Sequence, residues 1–211
     1  MRIAVIGAGN VGGTLGRRWA QRGHEVAFGV RDPSRGADAV KGGDALPAGA
    51  SVVTPEEAAR GADVVVLATP WDAVPDALRE LGPALDGVVL VDATNPLGPG
   101  LTLDVGPACE SGAERVQALA PRARVVKAFN TTGFSNMADP VYGGEPTVMF
   151  YAGDDPEAKS AVRLLVAALG FDAVDAGPLA RSRELEHLAM LWISLAFGGL
   201  GRDIAFRLVR R

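Results

Sequence analysis

Apolar residues along the chain fall into short continuous runs and seldom alternate with polar ones. The runs are RIAVI (2–6), EVAFGV (25–30), SVVT (51–54), DVVVLAT (63–69), GVVLVDAT (87–94), RVVKAFNT (124–131), TVMFYAG (147–153) and FDAVDAG (171–177). Runs this short, rich in β-branched residues, predict strands covered on both faces, as in a parallel sheet. Stretches of helical spacing separate them. The alternation of β and α predicts an α/β fold built on a doubly wound, mainly parallel sheet.

The turn and cap residues agree with this division. Thr54, Pro55 and Glu57 supply an N-cap, a proline at the first helical position and a capping-box partner, and Ser111 with Glu114 repeats the box. Asp155 and Pro156 open a further helix, which Gly170 closes. The longest apolar run, LAMLWISLAFGGL (188–200), contains a Gly-Gly break and falls short of the roughly 20 residues needed to span a bilayer. It predicts a buried helix, or a core or dimer surface formed by Trp192, Ile193, Leu195 and Phe197. The Pro- and Gly-rich stretch from Asn95 to Cys109 predicts a long loop, of the kind often found beside a ligand crevice.

Composition narrows the function classes. The 211 residues carry a net charge of −4 and show no basic stripe, which argues against nucleic acid and anionic membrane surfaces as partners. The chain opens directly into a glycine-rich turn, so no signal peptide is read and a cytoplasmic location is expected. Cys109 is the single cysteine; with only His24 and His187 beside it, neither an internal disulfide nor a zinc site is expected. Arginine outnumbers lysine 18 to 3, which makes each lysine worth locating.

The chemistry begins at GAGNVG. Gly7, Gly9 and Gly12, with Asn10 and Val11 between them, follow the first strand and open a helix. This is the G-x-G-x-x-G of dinucleotide-binding Rossmann folds in its proper context: a tight turn, room for a pyrophosphate, then close helix-on-strand packing. The helix N-terminus would face the anion. At the end of the second strand, where NAD-binding versions carry a ribose-binding acid, this chain has Val30 followed by Arg31. Arg31, with Ser34 and Arg35, can build a pocket for a 2′-phosphate, so NADP(H) is the expected cofactor. The alternative is an Arg31 that packs on adenine or pairs with Asp32.

Ligands of such sheets lie at the carboxyl ends of the strands. These supply Thr69, Pro70 and Trp71; Thr94, Asn95 and Pro96; and Lys127, Asn130 and Thr131 as candidates around the nicotinamide. Lys127 interrupts an apolar strand, and would either act on a ligand or cap backbone carbonyls at the strand end. Asn130 would donate to a ring or stabilise a turn, and His187 would face the cleft or pack within its helix. No nucleophile elbow, Cys–His pair or carboxylate dyad appears, which suits direct hydride transfer between two rings.

The blocks GAGNVG, GHEVAFGVRDPSR, ATPW (68–71), VVKAFNT (125–131) and DAGPLARSRELEHLAMLW (175–192) together resemble the NADPH-dependent coenzyme F420 reductases. The cytosolic domain of the STEAP ferric reductases is similar through KAFN and the spacing of Arg31, Pro33 and Arg35. The resemblance implies an NADP-binding Rossmann domain over 1–180 and a C-terminal helical segment over 181–211 that closes the cleft and forms a homodimer. It also implies hydride transfer between NADPH and a deazaflavin (coenzyme F420) or flavin-like acceptor; Lys127, Asn130 and Thr131 are the candidates at the reacting rings from their strand-end position. An imine or pyrroline reductase and a non-catalytic NADPH sensor are the alternatives.

Overall fold

The computed structural model describes residues 1–104 and 110–211; Cys109, and with it the end of the expected 95–109 loop, lies outside the described residues. All eight apolar runs form strands. They are β1 (Arg2–Ile6), β2 (Glu25–Gly29), β3 (Ala50–Val53), β4 (Val64–Leu67), β5 (Val89–Asp92), β6 (Arg124–Ala128), β7 (Val148–Gly153) and β8 (Asp172–Gly177), in one sheet of order β8-β7-β6-β5-β4-β1-β2-β3. Strands β1 to β6 are parallel, and the order reverses between β1 and β4. Strand β7 runs antiparallel to β6, and β8 is parallel to β7. The sheet is thus mainly parallel, with two inverted strands at one edge.

Among the described residues seven α-helices accompany the sheet: α1 (Asn10–Gln21), α2 (Pro55–Ala59), α3 (Val74–Leu81), α4 (Gly112–Leu119), α5 (Phe134–Ala138), α6 (Pro156–Leu169) and α7 (Ser182–Leu195). The residues of β1 show why the runs are continuous. Ile3 and Val5 pack with Leu15 and Trp19 of α1 and with Val162 and Leu165 of α6. Ala4 and Ile6 pack on the opposite face with Ala58 and Ala59 of α2 and Val74 and Leu78 of α3. The central strands β1, β4, β5 and β6 therefore bury both of their side-chain rows, and period-2 alternation disappears there, whereas the edge strands β3 and β8 stay half-exposed. Both expected capping boxes are formed, at Thr54–Glu57 and Ser111–Glu114, and Gly170 ends α6 in the left-handed conformation.

The 188–200 run departs from a wholly buried helix. Its helical part buries Ala189 and Trp192, while Leu191, Phe197 and Leu200 are exposed. The chain beyond residue 200 forms no regular element but is pinned down: Ile204 O accepts from Trp192 Nε1 at 2.7 Å and from Asn136 Nδ2 at 2.6 Å, and Val148 N donates to Phe206 O at 3.0 Å. Among the described residues, no helix is long and apolar enough to cross a membrane.

Candidate functional site

Strands β2, β4 and β5 end one or two residues before their apolar runs do, and residues released there, Val30, Thr69 and Thr94 among them, line a cleft at the carboxyl edge of the sheet. Gly7 makes the first turn at φ +95°, and its amide donates to Gly29 O at 3.2 Å. A Cβ on Gly12 would overlap Gly7 O, so helix and strand meet there as closely as backbone allows. A Cβ on Gly9 would meet nothing within 4 Å. That open space lies at the start of α1, whose first turn has neither a side-chain cap nor an acidic residue. Unspent amides and the positive end of the helix dipole therefore face room for an anion.

Two cavities meet above this turn. One, of about 540 Å³, is lined by Gly7, Gly29, Val30, Arg31, Asp32 and Arg35 on one side, and by Thr69, Pro70, Asp76 and Glu80 on the other. Among the described residues Arg31 makes no hydrogen bond or ion pair with protein, so the expected alternative of pairing with Asp32 is not what forms. Asp32 instead caps the following 3₁₀ turn, accepting from the Ser34 amide at 3.2 Å and from the Ser34 hydroxyl. Arg35 donates to Asp38 O at 3.2 Å. Ser34 is thus spent on Asp32 and does not line the cavity, whereas Arg31 and Arg35 do.

The second cavity, about 1130 Å³, continues from Thr69 and Pro70 past Val11, Trp71, Thr94 and Asn95 to Asp104 and Arg115. Among the described residues the buried Thr69 Oγ1 has no hydrogen-bond partner. It stands where the two lobes join, with its donor and acceptor free for a ligand.

Lys127, Asn130 and Thr131 do not face this cleft. Lys127 is fully buried, and its Nζ donates to Asp92 Oδ2 at 2.9 Å and to Thr94 O at 2.7 Å and pairs with Glu186 Oε1 at 2.9 Å. Burial disfavours the charged ammonium, but the adjacent Asp92 and Glu186 carboxylates outweigh it and raise the pKa above that of an ordinary lysine. A proton held this firmly is unsuited to donation near neutral pH. The strand-end lysine therefore does more than cap a carbonyl, and it does not reach a reacting ring.

Asp92 and Lys127 are register partners on β5 and β6, and Glu186 reaches them from α7. Glu186 also accepts from the amides of Gly112 at 2.9 Å and Ala113 at 3.3 Å, so it caps α4. Asp92 Oδ1 accepts from the amide of Thr94 at 2.9 Å and from its hydroxyl at 2.7 Å. The network thus holds the β5 end, where Asn95 enters the cleft. Asn130 acts on the same segment: Asn95 Nδ2 donates to Asn130 O at 2.9 Å, and Asn130 Nδ2 donates to Asn95 Oδ1 at 3.1 Å. Thr131 is buried, with its hydroxyl 3.9 Å from Met149 Sδ. His187 is exposed, Nδ1 lying 2.7 Å from Arg183 O within its own helix.

Between Lys127 and Asn130 the backbone is strained. Phe129 has φ +64°, an uncommon conformation for a bulky residue, which costs roughly 1–3 kcal/mol. Its ring is buried edge-on to Trp19 at a centroid distance of 5.5 Å, and that packing holds the turn.

Sequence reasoning passed over Asp92, Glu186, Asp104 and Arg115. A signal existed for Glu186: with Ser182, Leu185, Ala189 and Trp192 it occupies the buried stripe of α7 at helical spacing. Asp92 likewise sits inside an apolar run. Three charges embedded in apolar segments predict one another as partners.

Residues 2–96 match the family model described as NADP oxidoreductase, coenzyme F420-dependent. The F420-dependent NADP reductase of Methanothermobacter marburgensis is 30% identical to this chain over 225 residues, which cover 99% of this chain and 98% of the reductase. The rat metalloreductase STEAP3 is 30% identical over 190 residues; the match takes in 90% of this chain but only 36% of that protein. Among solved structures, one from Arthrobacter sp. FB24, named for F420-dependent NADP reduction, superposes with a TM-score of 0.86 at 33% identity and full coverage of both chains.

Proposed function

Because the chain belongs to the family of F420-dependent NADP reductases, NADPH-dependent oxidoreductases, we propose that it passes a hydride between NADPH and a planar deazaflavin or flavin-like acceptor bound in the larger lobe of the cleft. The observation that carries this is the lining of that lobe. Among its described residues it contains no histidine, lysine or tyrosine, and its charged groups are Asp72, Asp104 and Arg115. An alcohol dehydrogenase would need a committed acid or base there, whereas transfer between two rings needs only position and the exclusion of water.

The residues fit NADP(H). Gly9 leaves space at an uncapped helix N-terminus for the pyrophosphate, and the unpaired Arg31 with Arg35 offers a cationic seat for the 2′-phosphate. Val11, Thr69, Pro70, Trp71 and Asn95 would frame the nicotinamide half. When bound, NADPH supplies the hydride. The chain's own work is to orient: the free Thr69 hydroxyl and the Asn95 amide are the hydrogen-bonding groups at the join, and Asn130 and the Lys127 network hold Asn95 from behind. Lys127, Asn130 and Thr131 are in this view positioning residues. A proton from solvent completes reduction of the acceptor.

The test is steady-state oxidation of NADPH on addition of coenzyme F420, FMN or a ferric chelate, each followed by loss of NADPH absorbance. Turnover with F420 or FMN is expected, and silence with all three would refute the proposal. Exposed Leu191, Phe197 and Leu200 support pairing of two copies through the α7 end, which sedimentation equilibrium would check.

A further inference from the structure

The outer wall of the larger lobe is a built cluster. Trp71, from the turn after β4, donates from Nε1 to Asp104 Oδ2 at 3.1 Å. Arg115 of α4 lies with its guanidinium carbon 5.0 Å from the centre of the Trp71 ring. Its Nη1 donates to Asp104 O at 2.9 Å and reaches Asp104 Oδ2 at 3.4 Å. The guanidinium is therefore fixed both by stacking and by hydrogen bonds. Among the described residues its Nε and Nη2 have no protein partner, and this is the edge suited to a bidentate contact with phosphate or carboxylate.

We propose that Arg115, held on Trp71, reads an anionic group of the acceptor, so that the lobe selects planar acceptors bearing a phosphate or carboxylate over neutral ones of the same ring. The inference rests on the larger lobe being the acceptor site. Three features argue for it. The lobe is about 1130 Å³ against about 540 Å³ for its neighbour, room for a second ring system beyond the nicotinamide. Its lining includes Trp71, Leu103 and Leu119, apolar surface fit for a ring. Arg115 is the one cation among the described residues lining it. The hydrogen bonds from Trp71 and Arg115 hold the Asp104 carboxyl below the usual carboxylate range, so it stays ionised and tempers the cation it positions.

FMN and riboflavin carry the same ring and differ by one phosphate, which makes them the probes. Their kinetics with NADPH, and their binding to NADP⁺-saturated protein by quenching of flavin fluorescence, are measured for the wild type, Arg115→Gln, Arg115→Lys and Asp104→Asn. The wild type should favour FMN. Arg115→Gln should raise KM and Kd for FMN about tenfold, and shift those for riboflavin by no more than about twofold. Arg115→Lys, which keeps the charge without the fork, should fall between. Asp104→Asn can still accept from Trp71 while removing the opposing charge, and should tighten FMN. Equal losses for both flavins in Arg115→Gln, no loss at all, or a wild type that binds neither flavin would overturn the proposal. If flavins bind with the predicted preference but NADPH is not oxidised, the proposed reaction fails and the anion-reading role of Arg115 stands.

Discussion

At the scale of single residues, the proposed choice of electron donor rests on Arg31. Arg31 lines the smaller lobe, makes no ion pair among the described residues, and follows a valine where a ribose-binding acid would repel a 2′-phosphate. An Arg31→Ala variant should bind NADPH roughly ten- to a hundredfold more weakly and NADH nearly as before. Titration of both nucleotides measures this, and equal losses would mean that Arg31 does not recognise the phosphate. Its place in the cleft was legible because its neighbours in sequence are its neighbours in space. Lys127 was not: a lysine that interrupts a strand has the same signature whether it faces a ligand or two carboxylates. Its removal leaves Asp92 and Glu186 buried without a counter-charge, so Lys127→Met should cost about 3–5 kcal/mol in urea unfolding. A cost below about 1 kcal/mol would show that the network is not what it appears from its geometry. Since the Lys127 pKa is raised, the pair's contribution is present below the ordinary lysine value and is lost only as pH climbs through the higher folded value.

At the scale of elements, β1 to β6 and the helix caps follow from local sequence. Continuous apolar runs report burial on both faces, and Ser, Thr and Asp at N-caps report unpaired amides. The reversal of β7 was not legible, because a strand's own residues do not encode its direction; that is set by the course of the connection from β6 to β7. The docking of α7 on α4 was also hidden, being made by charges far apart in sequence. Arg183 donates to both Glu114 oxygens at 2.8 Å each, while Ser111 donates to the same carboxylate. The arginine hydrogen bonds, with those from Ser111, lower the Glu114 pKa from 4.5 to about 2. The sign follows from linkage: the folded value is depressed, so the stabilisation is complete above pH 4.5 and disappears as pH falls toward 2. With Arg183 half exposed, on the order of 2 kcal/mol is at stake. Glu114→Gln should therefore flatten stability against pH between those limits; an unchanged slope would place the acid sensitivity elsewhere.

For the whole molecule the question is whether 181–211 is an appendage to a Rossmann domain of 1–180, as the resemblance suggests, or part of its core. The contacts favour the core. Glu186 completes the Lys127 network at the centre of the sheet and caps α4 through Gly112 and Ala113. Trp192 packs so closely on Gly133 that a Cβ there would lie 2.6 Å from its ring, and carbonyls of the chain beyond it accept hydrogen bonds from Asn136 and Val148. The segment thus supports, from behind, the loop that carries Asn95 and the helix α4 that carries Arg115 into the cleft. A chain cut after Ala180 would leave two helix amides without their cap, Lys127 with half of its counter-charge, and the Gly133 surface bare. Each loss is worth roughly 1–3 kcal/mol, and together they approach the 5–15 kcal/mol that keeps a domain folded. The fragment should therefore lose cooperative urea unfolding and NADPH binding together, although every glycine-loop residue and Arg31 remain present. A fragment that unfolds cooperatively near the full chain's midpoint and binds NADPH with wild-type affinity would make 1–180 a domain in its own right, and α7 an appendage needed only for the acceptor.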